Sequence, residues 1–403
     1  MVTDTVYARD SRDGGDTVAP FDELSIDELR RRGTMKWSSY GDDVLAAWVA
    51  EMDVPLAPVV RAALHEAVER GCTGYPPNQR DSGLPAACAA WLEQSFGLAV
   101  EPRQVRSLPD VLRGLALAIE TFSRPHSPVV ILTPSYPPFF EVTRAIGRPI
   151  VEAPMTTHEG RAVCDLDAVA SALRAGAGTV ILCNPHNPLG RVFAREELAE
   201  LAALVEAHGA RVVADEVHAP LVYPGRAHVS YATVSEAAAR HAVTLISASK
   251  GWNLPGLKCA QIVLTSEADL ARWERLSFLQ TAGASILGIE ANRVAFAQGG
   301  PWLREAVVYL DGNRTLMARL LAELLPAVTY TVPEGTYLAW LDCRALGLDN
   351  PAAFFLERAR VALNDGAAFG DPGRGHVRLN FATSRAILTR IVRDMAAAVA
   401  GEL

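Results

Sequence analysis

The sequence predicts an α/β protein: an open, mostly parallel sheet between helices, followed by a smaller α+β unit. Three observations carry that reading. Short, almost uniformly apolar runs recur through the middle of the chain, namely "PVVILT" (128–133), "TVILCNP" (179–185), "RVVADE" (211–216), "VTLISASK" (243–250) and "QIVLT" (261–265). Strands buried on both faces of a parallel sheet read this way, because neither face is left to water. Between them, "AREELAELAALVEAHG" (194–209) repeats apolar residues at helical spacing and stops at a glycine, as a crossover helix does. From about Pro301 the texture changes. A helical stretch leads into "VTYTV" (328–332), "TYLAWLD" (336–342) and "HVRLNF" (376–381), which alternate like half-exposed antiparallel strands.

A chain of 403 residues exceeds what one hydrophobic core usually serves. The expected divisions are a mobile arm over 1–20, a segment over 21–56 packing with the small domain, a large domain over 57–300 and a small domain over 301–403. The net charge of −8, with arginines dispersed among acids, argues against nucleic acid as the main partner. Six cysteines without a CxxC pair argue against zinc or a disulfide framework. No apolar run is long enough to span a bilayer. The opening "MVTDTVYARDSRDGGDTVAP" is polar and acidic, without the apolar centre of a signal peptide, so a cytoplasmic protein is expected.

The polar outliers fall just after the predicted strands. Asn184 to Pro188 follow the second, Asp215, Glu216 and His218 end the third, and Ser247, Ser249 and Lys250 end the fourth. An open α/β sheet gathers such groups along one edge, where its ligands bind. A loop cap or a solvated charge explains any one of them alone. Three coinciding at strand ends, as an acceptor, an acid and a lysine, favour a site. Ser247-x-x-Lys250 also fits the S-x-x-K of penicillin-binding hydrolases, but the companion S-D-N and K-T-G strings do not occur in this chain.

"NPHNPLG", "ADEVH" and "SASKGWNLPGLK", in that order, resemble the fold-type I pyridoxal-phosphate enzymes of the class I/II aminotransferase group. "MKWSSYGDDVLAAWVAEMDVPLAP", "TPSYPPFF", "PEGTYLAWLD" and "HVRLNFATS" are similar to its cystathionine β-lyase, or carbon–sulfur lyase, subgroup. The resemblance covers nearly the whole chain from Phe21 onward. It implies a large domain with a mostly parallel seven-stranded sheet between helices, plus a small α+β domain.

The resemblance also implies roles. Lys250 is covalently joined to the aldehyde of pyridoxal 5'-phosphate and moves protons at the substrate Cα, its pKa lowered by burial and by a neighbouring cation such as Lys258. Asp215 pairs with the pyridine nitrogen, Asn187 bonds the ring hydroxyl, and Tyr136 stacks on the ring. The phosphate is expected at the amino end of a helix beginning near Val111 and Leu112, with Ser247, Ser249 and Lys258 completing the cradle. Asp110 departs from the pattern, standing where the family usually has glycine. Tyr75 in "TGYPP" is expected to reach the phosphate of a neighbouring subunit, which implies a homodimer with shared sites. Arg378 clamps the α-carboxylate of an amino-acid substrate, and Trp48 and Ala50 line the entrance. His218 belongs either to the cofactor shell or to a core hydrogen bond.

The expected reaction is β-elimination from a cysteine S-conjugate. An aminotransferase, or a decarboxylating oxidative deaminase of the same conjugates, uses the same residues. Relatives in this subgroup also serve specialised metabolism, antibiotic pathways among them. A regulator on this fold needs a fused DNA-binding domain, which twenty residues before Phe21 do not supply.

Overall fold

The computed structural model describes residues 20–401. The arm read over 1–20 therefore lies, except for Pro20, outside the described residues. The large sheet has seven strands: β1 Val105–Leu108, β2 Val129–Thr133, β3 Ile150–Pro154, β4 Thr179–Cys183, β5 Arg211–Asp215, β6 Ala242–Ile246 and β7 Ala260–Val263. Their spatial order is β1-β7-β6-β5-β4-β2-β3. The five strands β2 to β6 run parallel, and four of them are the apolar runs read from the sequence.

One direction differs from expectation. "QIVLT" was read among the parallel strands, yet β7 is antiparallel to both neighbours, β6 and β1. The link from β6 to β7 contains only a four-residue helix, Ala248–Gly251, and a short 3-10 turn, Pro255–Leu257. A parallel return needs a full crossover, usually a long helix, so the chain re-enters from the carboxyl edge. β1 and β3 escaped the sequence reading because Arg106, Ser107 and Glu152 break their apolar runs.

Register brings the strand ends into line. Cys183 lies opposite Asp215, and Asp215 opposite Leu245. The segments that follow β4, β5 and β6 therefore leave the sheet side by side at its carboxyl edge. The helix Val111–Phe122 lies against β5, β6 and β7. Gly114 permits the approach, since a Cβ there would meet Leu245 Cδ2 at 2.7 Å.

A second, antiparallel sheet contains β8 Thr329–Tyr330, β9 Leu338–Asp342, β10 Asn364–Asp365 and β11 His376–Asn380, in the order β8-β9-β11-β10. "VTYTV" contributes only two residues to it, because the chain turns away through Pro333, which has no N–H for a ladder. Trp340 and Asn364 flank Arg378 in register, placing the three on one face of the sheet. Helices Gly300–Leu324 and Arg385–Ala400 pack on one another nearby.

The segment 21–56 is tied to the carboxyl-terminal part of the chain. Leu45–Ala46 pairs in parallel with Val361–Ala362, and Asp53 N–H donates to Ala382 O at 2.8 Å. A buried ion pair, Lys36 to Asp53 at 2.8 Å, and a bond from Trp37 Nε1 to the same carboxylate brace it internally. Asn253 exchanges two hydrogen bonds with the backbone of Met52, so this segment also meets the turn that follows the helix Ala248–Gly251. Among the described residues no helix is long and apolar enough to cross a membrane.

Candidate active site

Lys250 sits in the four-residue helix after β6, whose N-cap is Ser247. The Ser247 hydroxyl accepts from Ser249 N–H at 3.0 Å and donates to Cys259 O at 2.7 Å. Both capacities serve the backbone, so this serine is not poised as an acyl nucleophile beside the lysine. Lys250 Nζ donates to Ala50 O at 2.8 Å. Burial brings its pKa down to about 8, helped by Arg378 and opposed by Glu51 and Asp215. The sequence reading assigned the helping cation to Lys258. In the structure Arg378 takes that part, while Lys258 pairs with Asp110 at 3.1 Å.

Asp215 closes β5 and is 4% exposed. Its carboxylate receives Val217 N–H at 3.1 Å, and burial pushes its pKa up to about 6 against the pull of that N–H and of Lys250. No other hydrogen-bond donor reaches it among the described residues. Arg378, 4% exposed, lies on β11. Its Nη1 donates to Asn187 Oδ1 at 3.0 Å, and its Nη2 to Trp48 O at 3.0 Å and Asn364 Oδ1 at 2.6 Å. Its Nε is buried without a partner. Burial lowers its pKa to about 10, and the Phe369 ring lies 5.2 Å beneath the guanidinium carbon.

A cavity of about 160 Å³ joins Lys250 and Asp215. It is lined by Ala50, Asp110, Val111, Leu112, Tyr136, Asn187, Asp215, His218, Ser247, Ser249, Lys250 and Lys258, together with Pro109, Cys183, Val217, Pro255, Cys259 and Ala260. Arg378 is not part of this lining but is bonded to Asn187, which is. Trp48, expected at the entrance, does not line this cavity either, its indole N–H donating to Lys36 O and its ring packing edge-on against Tyr40. Tyr75 does not join them, and its side chain is 96% exposed. Tyr136 packs edge-on against Phe139 at 5.4 Å, and burial raises its hydroxyl pKa.

His218 corrects one reading. A core hydrogen bond was one of its two expected roles, yet its Nδ1 is buried without a partner. Burial, Lys250 and Arg378 together hold the ring's pKa well below the usual value, so a neutral imidazole faces the cavity. Two residues escaped the sequence reading. Tyr337 donates its hydroxyl to Ala50 O at 2.8 Å, and Asn364 holds Arg378. Tyr337 was visible in the quoted "PEGTYLAWLD" as a polar tip within an apolar strand. Asn364 carried no signal.

These residues fit pyridoxal phosphate. The set offers an amine of lowered pKa, a buried carboxylate short of donors and an unpartnered imidazole. Val111 and Leu112, the first residues of the helix after Asp110, have backbone N–H groups with no acceptor among the described residues. A cationic ring nitrogen, an aldehyde and a phosphate are the groups that such donors and acceptors take up.

Comparison with known proteins agrees. The family model "Aminotransferase class I and II" matches residues 49–394. The chain is 41% identical to a cystathionine beta-lyase of Corynebacterium glutamicum, over 92% of this chain and 98% of that one. It is 32% identical to the cystathionine beta-lyase PatB of Bacillus subtilis strain 168, over 93% and 100%. Its fold matches the PLP-bound C-S lyase of Staphylococcus hominis with a TM-score of 0.88 at 27% identity, over 95% and 99% of the two chains. The chain belongs to the class I and II aminotransferase family of pyridoxal-phosphate-dependent enzymes, in its cystathionine β-lyase group.

Proposed function

We propose that this protein cleaves the carbon–sulfur bond of an L-cysteine S-conjugate of the cystathionine kind, releasing a thiol, pyruvate and ammonia. The observation that carries the reading is Lys250, half-buried and with its amine brought to a pKa near 8, on one cavity with Asp215 and with Asn187, the partner of Arg378. Similarity to cystathionine β-lyases supports elimination over amino-group transfer.

Each residue has a task in that reaction. The Arg378 guanidinium binds the substrate's α-carboxylate, pre-aligned by Asn187, Asn364 and the Trp48 carbonyl. Lys250 Nζ, neutral above about pH 8, takes the Cα proton; the Ala50 carbonyl and the Tyr337 hydroxyl bonded to it hold that amine in place. Bound pyridoxal phosphate supplies the sink for the electron pair left at Cα. Asp215, beneath the sheet edge, holds a proton at the ring nitrogen, and that cation in turn restores the ionised carboxylate that burial disfavours. A thiol has a pKa of about 8.5, so the Cβ–sulfur bond breaks readily once the pair is in place, with sulfur leaving as thiolate. Tyr136 and the neutral His218 wall the ring and keep water out. The hydrolysed three-carbon remainder leaves as pyruvate and ammonia.

The proposed assembly is a homodimer whose subunits share sites. Tyr75, Phe278 and Leu279 support it, being 96%, 75% and 85% exposed, more than a lone subunit usually leaves to water.

The deciding experiment incubates the purified protein and pyridoxal phosphate with L-cystathionine or a bulkier L-cysteine S-conjugate, with no 2-oxo acid added. Pyruvate, ammonia and thiol are expected in equal amounts. Turnover that requires a 2-oxo acid and returns the carbon skeleton intact would make the protein an aminotransferase. Carbon dioxide and an aldehyde, with oxygen consumed, would make it an oxidative deaminase.

A further inference from the structure

Among the described residues, Asp110 is the one carboxylate at the end of the cavity where the phosphate is expected, and the proposed reaction gives it no task. It is the N-cap of the helix Val111–Phe122, its Oδ1 accepting from Arg113 N–H at 2.8 Å. Its Oδ2 lies 3.1 Å from Lys258 Nζ. Both side chains line the cavity that holds Lys250, and both remain partly open to water, at 38% and 61%. Lys258 has a left-handed backbone, φ 49°, at the end of the 3-10 turn Pro255–Leu257, so the pair belongs to the turn that follows the lysine helix.

One carboxylate thus occupies two donors suited to a phosphate, the third N–H of the helix and the lysine ammonium. The Ser247 hydroxyl is already given to Cys259 O. What remains free is the N–H of Val111, the N–H of Leu112 and the Ser249 hydroxyl. The helix terminus still favours an anion, but the formal side-chain charge beside it is zero rather than positive.

We propose that the Asp110–Lys258 pair sets how tightly this protein holds the phosphate of its cofactor. Asp110 weakens the seat, Lys258 offsets it, and the site exchanges cofactor instead of sequestering it. This rests on the proposed placement of the phosphate at Val111 and Leu112. If charge governs, affinity follows the sum of the two side chains and not the presence of either one. Asp110→Asn leaves a lone positive charge, Lys258→Ala leaves a lone negative charge, and the double variant returns to neutrality. Asn caps a helix about as well as Asp, so the first variant keeps the helix start.

The test titrates cofactor-free protein with pyridoxal phosphate, followed by absorbance, and in parallel with pyridoxal, which has no phosphate. A half-exposed unit charge within a few ångströms of a doubly charged phosphate is expected to change affinity about tenfold. Asp110→Asn should bind pyridoxal phosphate about that much more tightly and release it more slowly. Lys258→Ala should bind more weakly by a similar factor, and the double variant should return to within about threefold of wild type. Pyridoxal affinity should not follow the series. Asp110→Asn binding pyridoxal phosphate no more tightly than wild type would overturn the proposal, as would an equal shift with pyridoxal. A wild-type protein that turns yellow on Lys250 but shows either result sinks this inference alone. One that binds neither compound sinks the functional reading along with it.

Discussion

Lys250 shows how far a single residue can be read from sequence. Its position after an apolar run, beside the end of an acid-bearing run, was enough to place it at a sheet edge. The cause of its lowered pKa was not legible, because Arg378 arrives from a distant strand, while Lys258, the nearer cation in sequence, is paired with Asp110. Burying an amine has a cost that follows from linkage. A lysine at about 8 in the folded chain and near 10.5 unfolded binds fewer protons when folded over that window. Its contribution to stability therefore rises with pH between roughly 8 and 10.5 and is unfavourable below. Lys250→Met in the cofactor-free protein should be more stable than wild type at pH 7, by up to about 3 kcal/mol, and the gain should vanish toward pH 10.5. Ala50 O retains the Tyr337 hydroxyl, so no buried acceptor is orphaned. Urea unfolding at the two pH values measures this; equal stabilities at pH 7 would mean that the amine is not desolvated. Arg378 makes the complementary case. Arg378→Ala should keep the coloured cofactor yet bind amino acids two to four decades more weakly, since an unpaired buried carboxylate costs about 3–5 kcal/mol. An unchanged KM would move the clamp elsewhere.

At the scale of elements, what the sequence showed best was burial, and what it hid was direction and docking. β2, β4, β5 and β6 were visible as apolar runs because both their faces are covered. β7 looked the same, and only the short link after Lys250 reverses it. The turn 184–190, which carries Asn187, is docked onto the turn 333–336. Glu334 N–H and Gly335 N–H both donate to Gly190 O, at 2.8 and 2.9 Å, and the Glu334 carboxylate meets Arg191 and Arg161. Gly190 has φ +64°, and a Cβ there would lie 2.2 Å from Pro333 Cβ and 2.9 Å from Gly335 O. Both backbone conformation and space therefore demand glycine. Gly190→Ala should lower stability by about 2–3 kcal/mol. By displacing Asn187 from Arg378, it should also raise the KM for amino acids more than it lowers the affinity for pyridoxal phosphate. Denaturant unfolding and the two titrations separate these effects. Wild-type stability in this variant would show that the two turns are not locked together.

For the whole molecule, one subunit brings most of the expected site residues to one cavity, with Arg378 bonded to its wall, and leaves Tyr75 exposed outside it. A side chain that is 96% exposed makes no contribution to the packing of its own chain, so its removal should cost little stability. If it reaches the phosphate in a partner, its loss should damage a site that belongs to the other subunit. A closed twofold dimer makes that separation testable. Lys250→Ala abolishes the site in its own subunit but still offers Tyr75 across the interface. Tyr75→Ala keeps its own lysine but starves its partner. When the two variants are unfolded together in equal amounts and refolded with pyridoxal phosphate, about half the dimers are hybrids. Each hybrid has one site with both an intact lysine and an intact tyrosine, so activity should recover to about a quarter of wild type. Mixing without refolding should give only the sum of the two weak activities. Refolded mixtures that never exceed that sum would place Tyr75 outside the shared site, and a monomer by sedimentation would exclude sharing altogether.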